Sequence, residues 1–223
     1  MQQIMNKSVF VFFALLLSGS AVWDEWQTAQ VREVFSGSRS YFVRVTPGEG
    51  WGDTVGFKDA KNGSYAKAQF FKQDHDRSYK PGKEITLVNP VAPVEFYVSD
   101  SGQLATVDNW HNRGYGKVVV FYSPDGNLIK SYELKDLFSE KEIALFSKSV
   151  SSITWNDGNA YIRLDKKTLN ISVDRLGKGS SLIFDMATGA YKFCQWQDKT
   201  LKSYLCRESN AERHWGAFSE FYS

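Results

Sequence analysis

The sequence has few of the residues and motifs from which standard active sites are built. The 223 residues include three histidines and two cysteines. There is no Gly-x-Ser-x-Gly elbow, no Gly-x-x-x-x-Gly-Lys phosphate loop, no His-Glu-x-x-His zinc helix and no dinucleotide fingerprint. These absences favour a protein that is not an enzyme and that has no cofactor and no metal site. The many carboxylates nevertheless leave a glycosidase pair open.

An excess of charge of one sign is also missing. The chain has 27 Lys and Arg against 25 Asp and Glu, a formal net charge of +2. A balance so close to neutral gives no electrostatic reason to expect binding to nucleic acid or to an anionic membrane surface. The partners that remain are an unknown protein or a glycan ligand.

Long apolar runs are absent apart from one near the N-terminus, between Val9 and Leu17. It follows a polar stretch with Lys7 and precedes the small residues 18–21, which is the layout of a signal peptide. It is shorter than the roughly 20 residues of a membrane-spanning helix. We therefore predict a signal peptide over residues 1–21, with an uncleaved anchor as the alternative. The mature chain, 22–223, is predicted to be a single β-rich domain with no integral membrane segment, periplasmic or secreted.

The two cysteines, Cys194 and Cys206, lie close together near the C-terminus. In an exported chain such a pair favours a disulfide bond. Free thiols are the first alternative. A metal site is the second, although structural zinc needs four ligands.

From Tyr41 onward, short runs rich in Val, Ile, Phe, Tyr and Thr alternate with turn residues, which predicts an all-β fold. The pattern indicates antiparallel four-stranded meanders at about 93–134 and 151–193. The segment 23–35 fits a helix and a strand equally well. Ser139 and Glu142 have the spacing of a capping box, so we predict one short helix near 139–147.

Two segments, Val119–Gly126 and Leu182–Gly189, share a pattern in which an apolar strand runs into a reversal that ends in glycine. With the loop Asp108–Gly116, they resemble uncharacterised exported bacterial proteins with β-propeller-like repeats. The resemblance covers residues 93–193 and implies a small or partial propeller of meanders. It implies no activity, and a β-sandwich built from the same meanders is the alternative.

The loop Asp108–Gly116 holds the densest group of chemically capable side chains, and loops on a rigid β scaffold often carry binding groups. Trp51, set among glycines, is a further exposed candidate. The proposed binding residues are aromatic or cationic: Trp51, Trp110, His111, Arg113 and Tyr115.

The sequence thus predicts an exported soluble binding or interaction protein. The alternative is a secreted hydrolase or lyase acting on polysaccharide or cell-wall material, in which Asp108 orients His111 as a general base beside Tyr115. A third interpretation makes the same loop a well-ordered turn, in which Gly114 and Gly116 supply unusual backbone angles.

Overall fold

A computed structural model describes residues 26–49, 63–163, 167–177, 179–198, 203–208 and 216–218. In these residues the fold is all-β with antiparallel sheets, which confirms the predicted class. The predicted signal peptide and Trp51 lie outside the described residues. None of the helices in the described part is long and apolar enough to cross a membrane.

The first sheet is a meander of four strands in sequence order: β1 (Arg32–Phe35), β2 (Tyr41–Thr46), β3 (Lys67–Gln73) and β4 (Tyr79–Thr86). The ambiguous segment 23–35 thus contributes its end to β1. The half-buried positions of β1 are Arg32 and Val34, and the exposed ones are Glu33 and Phe35. Because a charged and an apolar residue share each face, the strand lacks the usual alternation of apolar and polar residues.

The second sheet is also a four-stranded meander: β5 (Pro93–Val98), β6 (Leu104–Asn109), β7 (Val119–Tyr122) and β8 (Leu128–Tyr132). Every residue of β6 and β7 is buried. Strands covered on both faces are apolar without alternation. This explains the unbroken apolar run at β7.

The connection to the third sheet contains two single-turn helices and a small hairpin: α1 (Leu134–Leu137), α2 (Glu140–Ile143), β9 (Ser147–Lys148) and β10 (Ile153–Thr154). Ser139 caps α2 through the predicted capping box with Glu142. The helix ends at Ile143, earlier than predicted. The additional helix α1 is preceded by Glu133, whose amide donates to Asp136 at 2.8 Å.

The third sheet has six strands in sequence order: β11 (Asn156–Ile162), β12 (Thr168–Val173), β13 (Ser181–Asp185), β14 (Tyr191–Asp198), β15 (Ser203–Glu208) and β16 (Gly216–Phe218). Its first four strands form a meander where the second repeat is predicted. Cys194 and Cys206 stand directly opposite each other on β14 and β15 and form a disulfide, with an S–S distance of 2.06 Å. The predicted pairing is therefore confirmed.

Two apolar cores place the second sheet between the other two. On β7, Val120 and Tyr122 belong to the core shared with the first sheet. Val119 and Phe121, on the opposite face, belong to the core shared with the third sheet. This alternation follows from the period of two along a strand. The three meanders are therefore stacked face to face.

Candidate functional site

The Asp108 side chain is the centre of a hydrogen-bond network between the second and third sheets. Its Oδ1 accepts from the Gly114 amide at 2.9 Å and from the Trp155 indole at 2.8 Å. Its Oδ2 accepts from Asn156 Nδ2 at 3.0 Å and from Arg113 Nε at 3.3 Å. Full burial raises the pKa of Asp108, while these four donors act in the opposite direction. The carboxylate thus holds the loop and the next sheet together.

The backbone of the loop is held in a tight conformation. Asp108, His111, Gly114 and Gly116 all have φ between 59° and 77°. Asn109 supports this conformation, because its Nδ2 donates to the carbonyl of Tyr115 at 2.7 Å. These contacts agree with the third interpretation of the sequence, in which the loop is a well-ordered turn.

Trp110 and His111 pack against the chain's own N-terminal segment. The ring of Trp26 lies 5.5 Å from each of their rings, centroid to centroid. Trp110 Nε1 donates to the carbonyl of Gln27 at 2.9 Å, and the Arg32 guanidinium lies 5.5 Å from its ring centroid. Burial lowers the pKa of His111. In the described part of the chain, His111 is not among the partners of the Asp108 carboxylate.

The remaining residues of the loop are divided between the network and the core. Arg113 donates to Asn156 Oδ1 at 2.8 Å in addition to Asp108. Tyr115 is half-buried and packs against the core between the second and third sheets. The loop therefore brings Asp108, Arg113 and Asn156 together and leaves His111 in a separate aromatic cluster.

The polar stretch 73–77 covers the last residue of β3 and most of the turn that leads to β4. Asp74 pairs with Lys80. Asp76 Oδ1 accepts from both the amide and the hydroxyl of Ser78, at 2.9 and 2.6 Å. Within the described residues, no group of three or more His, Cys, Asp or Glu side chains is arranged to hold a metal ion.

An open cleft of about 400 Å³ lies where the first strands of the three sheets, β1, β5 and β11, come together. Its apolar lining is drawn from all three strands: Val34, Phe35, Tyr97, Val98, Tyr161 and Ile162. Tyr161 is 53% exposed and Phe35 41% exposed. The cleft therefore has a volume in the range usual for ligand sites, and two of its aromatic side chains are accessible.

Few polar groups border the cleft. Asp100 and Arg163 line it, from positions just beyond the C-terminal ends of β5 and β11. Asp100 Oδ1 accepts from the Ser38 amide at 2.6 Å, which joins the first hairpins of two successive sheets. The hydroxyl of Tyr97 donates to Glu95, and burial raises the pKa of Tyr97 above its ordinary value. Tyr97 therefore stays a neutral donor.

Sequence reasoning missed this cleft because its walls come from strands that are far apart in the chain, one of them ambiguous. A usable signal was the position of Phe35 and Tyr161, two large apolar residues near the ends of the first strands of their sheets.

No protein-family model, curated protein or solved structure matches the chain.

Proposed function

We propose that this protein is an exported binding protein without enzymatic activity, and that its ligand occupies the cleft between β1, β5 and β11. The observation that carries the proposal is the cleft itself, with a volume of about 400 Å³ and apolar walls contributed by three sheets. Ligand sites are typically concave and mostly apolar, with a few polar groups that fix orientation. In this cleft, Asp100 and Arg163 are the polar residues that could orient a ligand.

The contacts of the loop Asp108–Gly116 also support a ligand site in the cleft and not at the loop. The Asp108 carboxylate accepts four hydrogen bonds from within the protein. The rings of Trp110 and His111 pack against Trp26. A ligand at this loop would have to displace contacts that stabilise the fold. A ligand in the cleft displaces solvent from Phe35 and Tyr161.

The disulfide supports export, because such bonds form and persist in oxidising compartments. It agrees with a periplasmic or secreted destination.

Native mass spectrometry without reductant, on protein purified from its own cells, tests the proposal. We expect a retained molecule whose occupancy falls by about tenfold in Tyr161→Ala, since a large aromatic contact is lost. The matched control is Leu128→Ala, because Leu128 is 55% exposed on β8, at the far edge of the second sheet. Its occupancy should equal that of the wild type.

The same experiment has two outcomes that would contradict the proposal. A retained molecule that Tyr161→Ala does not release would move the site away from the cleft. Protein that carries no molecule at all would contradict a tightly bound ligand.

A further inference from the structure

We propose that the ligand of the cleft is an extended peptide segment of another protein, bound as an additional strand along β11. This inference rests on the proposed function and names its ligand class. It starts from the edge of the third sheet. Among the described residues, β11 pairs with β12 alone.

The hydrogen-bond phase of β11 decides which backbone groups face the open side. The Arg163 amide donates to the Thr168 carbonyl at 2.9 Å, so Arg163 faces β12. In an antiparallel pair the groups alternate, so Tyr161 also faces β12, and the N–H and C=O of Ala160 and Ile162 point away from it. Both of these residues line the cleft. The cleft therefore borders two residues with outward-facing donors and acceptors.

The other two first strands show the same phase. The Ser36 amide donates to Tyr41 and the Ser99 amide donates to Gln103, each at 2.9 Å. By the same alternation, the backbone groups of Phe35 and Val98 point away from β2 and β6. Three edge strands thus present backbone polar groups and apolar side chains around one cleft.

An extended peptide has the chemistry that matches this lining. It offers an N–H and a C=O at every second residue on one side, and its side chains alternate between the two faces. One acidic and one basic residue border the cleft, Asp100 and Arg163, which leaves it without net charge. We therefore expect the bound segment to carry uncharged apolar side chains.

The shape of β11 favours a short peptide over a second copy of this chain. The pairing of β11 with β12 is irregular between Asn156 and Ala160. Such irregularities bend an edge and limit its pairing with another sheet. The regular part that borders the cleft, 160–162, suits a segment of a few residues.

The experiment begins with selection of random ten-residue peptides, displayed on phage, against the full disulfide-bonded mature chain. Enriched peptides are synthesised and their affinities are measured by fluorescence polarisation. Ile162→Pro removes a backbone N–H that points into the cleft and leaves the hydrogen bonds between β11 and β12 intact. Proline is tolerated at such a position, because the N–H of an edge strand that faces away from the sheet has no partner within it. We expect binding to weaken about tenfold, as for one lost hydrogen bond. Ile162→Val, which keeps the amide, is the matched control and should bind within about twofold of the wild type.

A second arm uses the wild-type protein, so that it does not depend on the folding of a proline variant. Each selected peptide is N-methylated at one residue at a time. We expect affinity to fall at every second residue and to persist at the residues between, because alternate amides face β11.

Several results would overturn the peptide assignment. These are the absence of any enriched peptide, equal binding to Ile162→Pro in a folded protein, and an N-methyl scan without alternation. If analytical ultracentrifugation showed a dimer and Ile162→Pro abolished it, the partner of the β11 edge would be a second copy of this chain. A retained molecule that is not a peptide, but that Tyr161→Ala releases, would refute the ligand class and leave the proposed function standing.

Discussion

Asp108 is a carboxylate that stabilises the packing of one sheet on the next. It is fully buried, yet each of its oxygens accepts two hydrogen bonds, from Gly114 and Trp155 on one side and from Asn156 and Arg113 on the other. A buried charge is tolerated when it is paired and fully hydrogen-bonded. Because leaving any of these buried donors unsatisfied is costly, the Asp108 carboxylate is important for folding.

Asp108→Asn tests this role. Asparagine accepts the left-handed φ of 59° as readily as aspartate, so the backbone is not perturbed. Its amide group, however, places two donors where Asp108 has an acceptor, so two of the four donors lose their partner. We expect the free energy of unfolding to fall by roughly 1–3 kcal/mol. Urea denaturation at neutral pH measures it.

The control for this substitution is Asp125→Asn, at an exposed position in the turn between β7 and β8. Its stability should stay within about 0.5 kcal/mol of the wild type. Equal stability of Asp108→Asn and the wild type would show that the network does not contribute to folding.

Successive sheets contact each other through a glycine in the third hairpin of the second sheet and another in the third hairpin of the third sheet. Gly126, between β7 and β8, has φ 73°, and an added Cβ would lie 2.4 Å from Ile85 on β4. Gly189, between β13 and β14, has φ 71°, and its Cβ would lie 2.5 Å from Cβ of Lys130 on β8. In both cases the hairpin of one sheet contacts the fourth strand of the sheet before it. This repeated contact is the structural counterpart of the two matching sequence segments.

Gly189→Ala should therefore be more destabilising than a glycine substitution with the same backbone angle in open space. Gly158 provides that comparison, since its φ is 79° and no atom lies within 4 Å of the added Cβ. We expect Gly158→Ala to cost about 1–2 kcal/mol for the left-handed conformation. Gly189→Ala should cost about 1–3 kcal/mol more, because it overpacks the contact with Lys130. Chemical denaturation of the two variants side by side measures the difference, and equal costs would contradict the proposed contact.

The sequence predicted those elements whose pattern is set by burial of one or both faces. The strands of the second sheet and the reversals at Gly126 and Gly189 are where the turn residues indicated them. β1 was ambiguous because Arg32 takes an inward position, where its guanidinium lies 5.1 Å from the Phe96 ring centroid and donates to backbone carbonyls of β5. Helix α1 was missed because a glutamate precedes it in place of the usual short polar cap.

At the scale of the whole molecule, the sequence could indicate repeated meanders but not how they stack. The cleft depends on that stacking, since Phe35, Tyr97 and Tyr161 come from different sheets. Local periodicity carries no information on contacts between strands that are about 60 residues apart in the chain. The β-propeller resemblance stays a prediction, supported by the face-to-face order of the sheets and by the first strands meeting at one cleft.

The two cores also predict how the molecule unfolds. The central strands of the second sheet, β6 and β7, are buried on both faces, so loss of either neighbouring sheet exposes apolar side chains of the middle sheet. Leu87→Ala opens a cavity in the core of the first and second sheets, and Leu182→Ala opens one in the core of the second and third. Each should lower the free energy of unfolding by about 2–5 kcal/mol. Because the middle sheet couples the cores, each variant should lower amide protection in all three sheets equally.

Hydrogen exchange followed by mass spectrometry, peptide by peptide, measures this coupling. If Leu87→Ala lowered protection in β1–β4 while β12–β14 kept the wild-type value, the first sheet would be an independent folding unit. The cleft would then open whenever that sheet unfolds, since β1 is one of its three walls. With a single cooperative unit, the apolar cleft is preformed in the folded protein, and a peptide would bind it without the cost of ordering its walls.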